Sequence, residues 1–201
     1  QHKPDRRQRQ MCLRDSKNIT EYEDFDDALL STLSQLKINQ DKFYDIKQDL
    51  LPKGLSSLMK ELNLIINQTI DKEQKPSRFK NYKINEKIKY FVIRRLMVFQ
   101  NLVDKRKFFK KILKPNLIVS SNKTLFKIAD EIWFLAGDKS TDYNYYTKRI
   151  ILMNIYAITF FFFVFDNSKD LERTKKFLDK EISAVLKFGN LKNKLKKSIK
   201  F

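Results

Sequence analysis

Apolar residues recur along this chain at intervals of three and four, and no segment sustains the alternation of apolar and polar positions that would argue for a sheet. The pattern predicts an all-α protein. A first helix is expected from about Asp24 through Leu36, with Phe25, Leu29, Leu30, Leu33 and Leu36 on one face. A break at Lys37-Ile38-Asn39 leads to a second, short helix near Gln40 to Gln48. Leu51-Pro52-Lys53-Gly54 then interrupts the chain before a longer amphipathic helix carrying Leu55, Leu58, Met59, Leu62, Ile65, Ile66 and Ile70. Helix, turn, short helix, turn, longer helix is the plan of a helix-turn-helix unit. The charged stretch Asp71 to Tyr82, with Pro76, is the expected hinge to the rest.

Beyond it a long helix is predicted over roughly Lys83 to Lys105, with Ile84, Ile88, Phe91, Val92, Leu96, Phe99 and Leu102 on one stripe. The element Lys107 to Leu113 ends at Pro115. A helix capped by Ser120 or Ser121 follows and runs to Gly137, which suits a left-handed C-terminal cap. Thr141 or Asp142 can cap the next helix, and Ser168 the one that runs to about Phe188. The order of these segments predicts a polar terminus over 1–20, a helix-turn-helix-like lobe over 21–73, a helical core over 83–188 and a basic amphipathic helix over 189–201.

Two segments carry unusual hydropathy. From Ile150 to Phe165 the chain is almost wholly apolar, yet it is shorter than the ~20 residues a bilayer demands and contains Asn154 and Thr159. It reads as a helix buried on all sides, one face meeting its own core and the other a second subunit or an apolar ligand; a spanning helix is the rival reading. At the C-terminus, Leu191, Leu195 and Ile199 fall within an arc of roughly 80°, while Lys192, Lys196, Lys197 and Lys200 take the opposite side. That is the pattern of a helix lying in an anionic membrane interface, the alternative being a frayed cationic end.

Charge sharpens this picture. Of 201 residues, 42 are Lys or Arg and 24 Asp or Glu, a formal net charge of +18 that favours anionic partners. A compositional drift towards Lys, Asn, Ile and Phe explains the same numbers. What is scarce restricts the chemistry further. His2 is the only histidine and Cys12 the only cysteine, so a histidine-based triad, the usual zinc ligand sets and a Glu-x-x-His di-iron site cannot be assembled within one chain. Gly54, Gly137 and Gly189 are the only glycines, which leaves no dinucleotide-binding or phosphate-cradling loop. No catalytic residues, metal ligands or cofactor are therefore expected. Residues 1–20 lack the apolar run of a secretory signal; a remnant of an Arg-rich organelle presequence stays open.

The run from Ile128 to Arg149, reading Ile-Ala-Asp-Glu-Ile-Trp-Phe-Leu-Ala-Gly-Asp-Lys-Ser-Thr-Asp-Tyr-Asn-Tyr-Tyr-Thr-Lys-Arg, resembles the coenzyme Q biosynthesis accessory family known as Coq-nine. The likeness extends more weakly over roughly Phe25 to Leu186. It implies a non-enzymatic, homodimeric lipid-binding protein of TetR-like architecture, peripheral on the inner membrane and facing the mitochondrial matrix or, in a bacterium, the cytoplasm. It further implies that such a protein binds isoprenoid quinone intermediates and hands them to the hydroxylase acting on demethoxyubiquinone. The docking surface for that partner matches Ile132, Tyr145, Tyr146 and Arg149 here, Tyr145 replacing the family's usual Trp. Trp133 is expected in the core, and Asp138 and Asp142 as capping or turn groups.

An isoprenoid tail is expected between the long helix carrying Leu96 and Phe99 and the apolar helix carrying Met153, Tyr156, Phe160 and Phe163, with Leu191, Lys192, Leu195, Lys196, Lys197 and Ile199 on the anionic membrane surface. The other function considered is a TetR-like DNA-binding regulator with an apolar ligand. The helix that would enter the major groove reads Gln-Asp-Lys-Phe-Tyr-Asp-Ile-Lys-Gln-Asp over 40–49, with three aspartates and no arginine, which argues against nucleic acid as a partner.

Overall fold

The computed structural model describes residues 25–35, 43–73, 79–141 and 143–198, together with Tyr22, Lys37, Asn39 and Asp41. Among these residues there is no strand, and the protein is all-α. Eight helices follow in order: α1 (Phe25–Gln35), α2 (Phe43–Leu50), α3 (Leu55–Glu73), α4 (Ile84–Leu102), α5 (Lys105–Ile112), α6 (Ile118–Ala136), α7 (Tyr143–Phe165) and α8 (Glu172–Ser198). Short 3-10 turns at Pro115–Leu117 and Lys169–Leu171 precede α6 and α8.

The described residues divide into two compact units. One contains the chain up to position 73 and Arg95–Ile128; the other contains 79–94 and the chain from Ala129 on. One junction falls in the expected 71–82 hinge. The other two lie inside α4 and α6, because each of these 19-residue helices is long enough to bury its two ends in different cores. The compact units therefore do not follow the sequential division into lobe, core and tail.

In the first unit, Ala28, Leu29 and Leu33 of α1 and Leu58, Leu62, Ile66 and Ile70 of α3 are buried, as periodicity predicts. Leu96, Phe99 and Phe108 are buried as well, and the rings of Phe99 and Phe108 meet edge-on at 5.1 Å. Arg95 is completely buried, and its guanidinium donates to the side-chain oxygens of Asn63 and Asn67 on α3, so its charge is not left without acceptors. The Asp104 carboxylate accepts from the backbone N–H groups of Arg106 and Lys107, both at 2.9 Å, which fixes the start of α5 at Lys105. Ser120 and Ser121 do not cap α6. They lie within its first turn, because the Pro115 turn leads directly into the helix, and the Ser120 hydroxyl bonds Ser56 on α3.

In the second unit α7 and α8 form the most extensive helix pair, with Phe162 and Phe177 stacked face to face at 4.5 Å. Asp166 organises the turn between them. Its carboxylate accepts from Ser168 N–H at 2.8 Å, Thr174 N–H at 2.9 Å and the Thr174 hydroxyl at 2.6 Å. Burial raises the affinity of this carboxyl for a proton, but those donors outweigh it and hold the pKa at about 2. Ser168 accepts from Arg173 N–H at 3.1 Å, but it stands before the Lys169–Leu171 turn, ahead of the Glu172 start of α8, and so does not itself cap that helix.

Two expectations need correction. α7 is not buried on all sides: Leu152, Ile155, Tyr156, Thr159, Phe163 and Val164 face inward, whereas Ile150, Ile158, Phe161 and Phe165 are exposed. By length and composition it is also apolar enough to cross a membrane. The basic amphipathic segment is not a separate helix either, since α8 continues without interruption through Gly189 to Ser198. A single helical glycine costs only about 1 kcal/mol, too little to break a helix whose neighbours all favour it.

Candidate functional site

The motif from Ile128 to Arg149 folds onto itself in the second unit. α6 stops because Gly137 takes φ +91°, a left-handed conformation open to glycine. The Gly137 and Asp138 N–H groups donate back to the carbonyls of Phe134 and Trp133 at 2.9 and 3.0 Å, a Schellman closure. This reversal returns the Asp138 side chain towards the first turns of α7. There one carboxylate oxygen accepts from Lys148 Nζ and Ser140 Oγ, each at 2.7 Å, and the other from Arg149 Nη1 at 3.2 Å.

Arg149 is the centre of the cluster. It is buried, its Nε donates to Asp130 at 2.6 Å, its Nη1 also donates to the Tyr145 carbonyl at 3.1 Å, and its guanidinium carbon lies 3.3 Å from the centre of the Tyr145 ring. The Tyr145 hydroxyl donates to the same Asp130 oxygen at 2.9 Å. Burial works against both charges, yet the hydrogen bonds prevail: Asp138 is held at about 2, and Arg149 binds its proton more tightly than usual. Hydrogen bonding to Asp130 raises the Tyr145 phenol. Groups so far from neutral pKa values brace the fold and are poor proton carriers. The expected turn role of Asp138 is thus one half of what it does; Asp142 lies outside the described residues.

Beside this brace lies an apolar cavity of about 690 Å³, within the ~300–1,000 Å³ range of small-molecule sites. Its wall comes from the start of α4 (Ile84, Ile88), Trp133 of α6, Ile151, Leu152 and Ile155 of α7, and Ile182, Val185 and Leu186 of α8, with Lys83, Asn85 and Lys148 adding polar groups. Trp133 Nε1 donates to the Lys148 carbonyl at 3.0 Å, and Lys148 Nζ sits 5.3 Å from the Trp133 ring centre. Lys148 therefore belongs to the brace and the cavity at once.

This is not the cavity expected from the sequence. None of Leu96, Phe99, Met153, Tyr156, Phe160 and Phe163 lines it. Leu96 and Phe99 are core residues of the first unit. Tyr156 and Phe163 are buried, and the Tyr156, Phe160 and Phe163 rings pack in a row at 6.4 and 5.8 Å. The lining residues 148, 151, 152 and 155 share the adjacent face of the same helix, a spacing visible in the sequence but masked by the apolar character of every face.

The expected docking residues also separate. Ile132 is fully buried and Arg149 nearly so, which removes both from any contact surface. Tyr145 is half-buried against Arg149, and Tyr146, 60% exposed, meets it edge-on at 5.1 Å. Trp133, expected in the core, is half-buried on the cavity wall. Leu191, Lys192, Leu195, Lys196 and Lys197 fall on the backbone of α8, but their side chains, and all of Ile199, lie outside the described residues. On α2, Asp45 and Asp49 are exposed and Lys47 is paired with Asp26 at 2.5 Å, a surface that repels phosphate. Among the described residues no group of His, Cys, Asp and Glu gathers to hold a metal.

Fold and site together define an all-α protein with an apolar cavity flanked by a buried ionic brace. Residues 118–189, which contain the brace and most of the cavity wall, match the COQ9 family. The chain is 43% identical over 79 residues to the ubiquinone biosynthesis protein COQ9-A, mitochondrial, of Xenopus laevis, covering 39% of this chain and 25% of that protein. It is 35% identical over 85 residues to the human protein COQ9, mitochondrial (42% and 27%), and 30% identical over 115 residues to a probable coq9 protein of Dictyostelium discoideum (57% and 38%). Through this segment the chain is similar to the COQ9 family. The matches span from about a quarter to two-fifths of those relatives' length.

Proposed function

We propose that this protein is a lipid-binding accessory factor of ubiquinone biosynthesis in mitochondria. It holds an isoprenoid quinone intermediate or a related lipid in the cavity and presents it to the demethoxyubiquinone hydroxylase, which supplies the oxidative chemistry. The observation that carries this reading is the apolar cavity formed by Ile84, Trp133, Ile155 and Leu186. Its walls suit a prenyl tail, and Lys83 and Lys148 offer donors to a polar ring or headgroup.

In this reading the protein works as a homodimer, peripheral on the matrix face of the inner membrane. The exposed Ile150, Ile158, Phe161 and Phe165 stripe of α7 supports a second subunit, since water is a costly neighbour for such a face. Exposed Tyr143 and Tyr146 offer aromatic anchors for the hydroxylase, Tyr146 resting edge-on against Tyr145 above the Arg149 guanidinium. The basic C-terminal segment 189–201, with Leu191, Leu195 and Ile199, supplies the membrane contact.

Native mass spectrometry of the purified full chain tests the central claim. A bound prenyl lipid is expected; its absence from protein purified from a ubiquinone-producing host removes the lipid role. Tyr146→Glu should weaken hydroxylase capture without loss of lipid, and equal capture removes that docking site. Joint replacement of Leu191, Leu195 and Ile199 by Ser should reduce vesicle flotation.

A further inference from the structure

The first unit carries a second feature of the membrane-contact kind, built from residues that the cavity, the brace and the α8 end do not use. Between Lys105 and Ala129 the sequence contains eight Lys or Arg and no Asp or Glu. Within that stretch, the corner from α5 through the Pro115–Leu117 turn into α6 exposes three aliphatic side chains: Leu113 at 59%, Ile118 at 53% and Val119 at 66%. Lys110 lies one turn before Leu113 on α5, Lys114 follows it, and Lys123 lies one turn after Val119 on α6; all three are exposed.

The corner is held in shape from beneath. Leu117 is buried at the turn, Phe108 packs edge-on against Phe99, Asp104 caps the start of α5, and Ser120 is tied to Ser56. Exposed aliphatic groups on a braced turn forfeit burial in water and recover it only if something apolar receives them. What receives them must also be negatively charged, because between positions 110 and 123 every ionisable residue is a lysine. A nucleic acid is read by Arg and by stacked aromatic rings, and neither occurs between positions 110 and 123. A bilayer of anionic lipid meets both demands, with phosphates at the level of the lysines and acyl chains just below.

We infer that the α5–α6 corner is a second membrane-binding site, inserting Leu113, Ile118 and Val119 into an anionic leaflet while Lys110, Lys114 and Lys123 engage its headgroups. This inference rests neither on the cavity nor on the α8 end. Its test uses the full chain with V119C in a C12S background, labelled with a polarity-sensitive dye, and vesicles of phosphatidylcholine with or without phosphatidylglycerol. A blue shift and brightening are expected on the anionic vesicles alone.

The variant K110Q/K114Q/K123Q should lower partitioning by about a hundredfold, roughly fivefold per lysine. L113S/I118S should suppress the dye shift, with an unchanged circular dichroism spectrum showing that the helices persist. The dye shift should survive Ser replacement of Leu191, Leu195 and Ile199, which separates this corner from the α8 end. Flotation of the full chain with an unresponsive dye at position 119 would overturn the inference. So would an equal response on neutral vesicles, loss of the shift in the α8 variant, or a response to duplex DNA but not to vesicles.

Discussion

Replacing Asp138 by Asn preserves the shape of the side chain and removes the charge on which Lys148, Ser140 and Arg149 converge. Burial alone raises this carboxyl's pKa, but the three donors bring it from 3.8 to about 2. A gap of nearly two units corresponds to about 2 kcal/mol of stabilisation of the folded state. Removing one partner of a buried ion pair costs about 3–5 kcal/mol when the other charge is stranded. Arg149 keeps Asp130 and the Tyr145 carbonyl, so the lower figure applies. For a chain of this size about 2 kcal/mol lowers the melting temperature by roughly 4–8 °C.

The pH dependence identifies the cause. The folded pKa lies below the unfolded one, so the stabilisation is complete above about pH 4 and is lost as the pH falls towards 2. D138N has no such charge to lose. In urea denaturation followed by far-ultraviolet circular dichroism, the stability gap between wild type and D138N should be constant from about pH 5 to 7 and should close below about pH 4. Asp166, which is also held at about 2, titrates in both proteins and cancels from the difference. An undiminished gap down to the lowest pH at which both proteins remain folded, or no gap at neutral pH, refutes the account of the brace.

Asp166→Ala strips the acceptor from Ser168 and Thr174 in a buried turn, and a loss of about 2–3 kcal/mol in the same assay is expected. Gly137→Ala meets no atom within 4 Å, so its penalty is backbone strain at φ +91°; about 1 kcal/mol is expected, with Gly137→Asn milder in parallel thermal melts. Val185→Trp enlarges a side chain on the cavity wall and should lower the lipid retained through purification with little change in melting temperature. Retention at the wild-type level places the lipid elsewhere.

The legible part of this protein is what local periodicity controls. The all-α class, the succession of helices, the stop at Gly137 and the turn at Ser168 follow from spacing, caps and punctuation, which act within a few residues. The brace was half legible: the motif that contains it is plain in the sequence, but its residues read as caps and docking groups. Only the Gly137 reversal shows that Asp138 returns to Lys148 and Arg149.

Tertiary structure alone decided which face of α7 is buried, because a helix apolar all round carries no periodic signal of its own orientation. The residues that line the described cavity were hidden for that reason, lying one face away from those the sequence singled out. The split of α4 and α6 between two compact units was equally hidden, since a stripe of apolar side chains records that a helix is covered but not by what. The sequence by itself thus determined the elements and their ends, where the interactions are local. The partners of those elements, and the space left between them, were settled by packing among residues far apart in the chain, which local pattern does not encode.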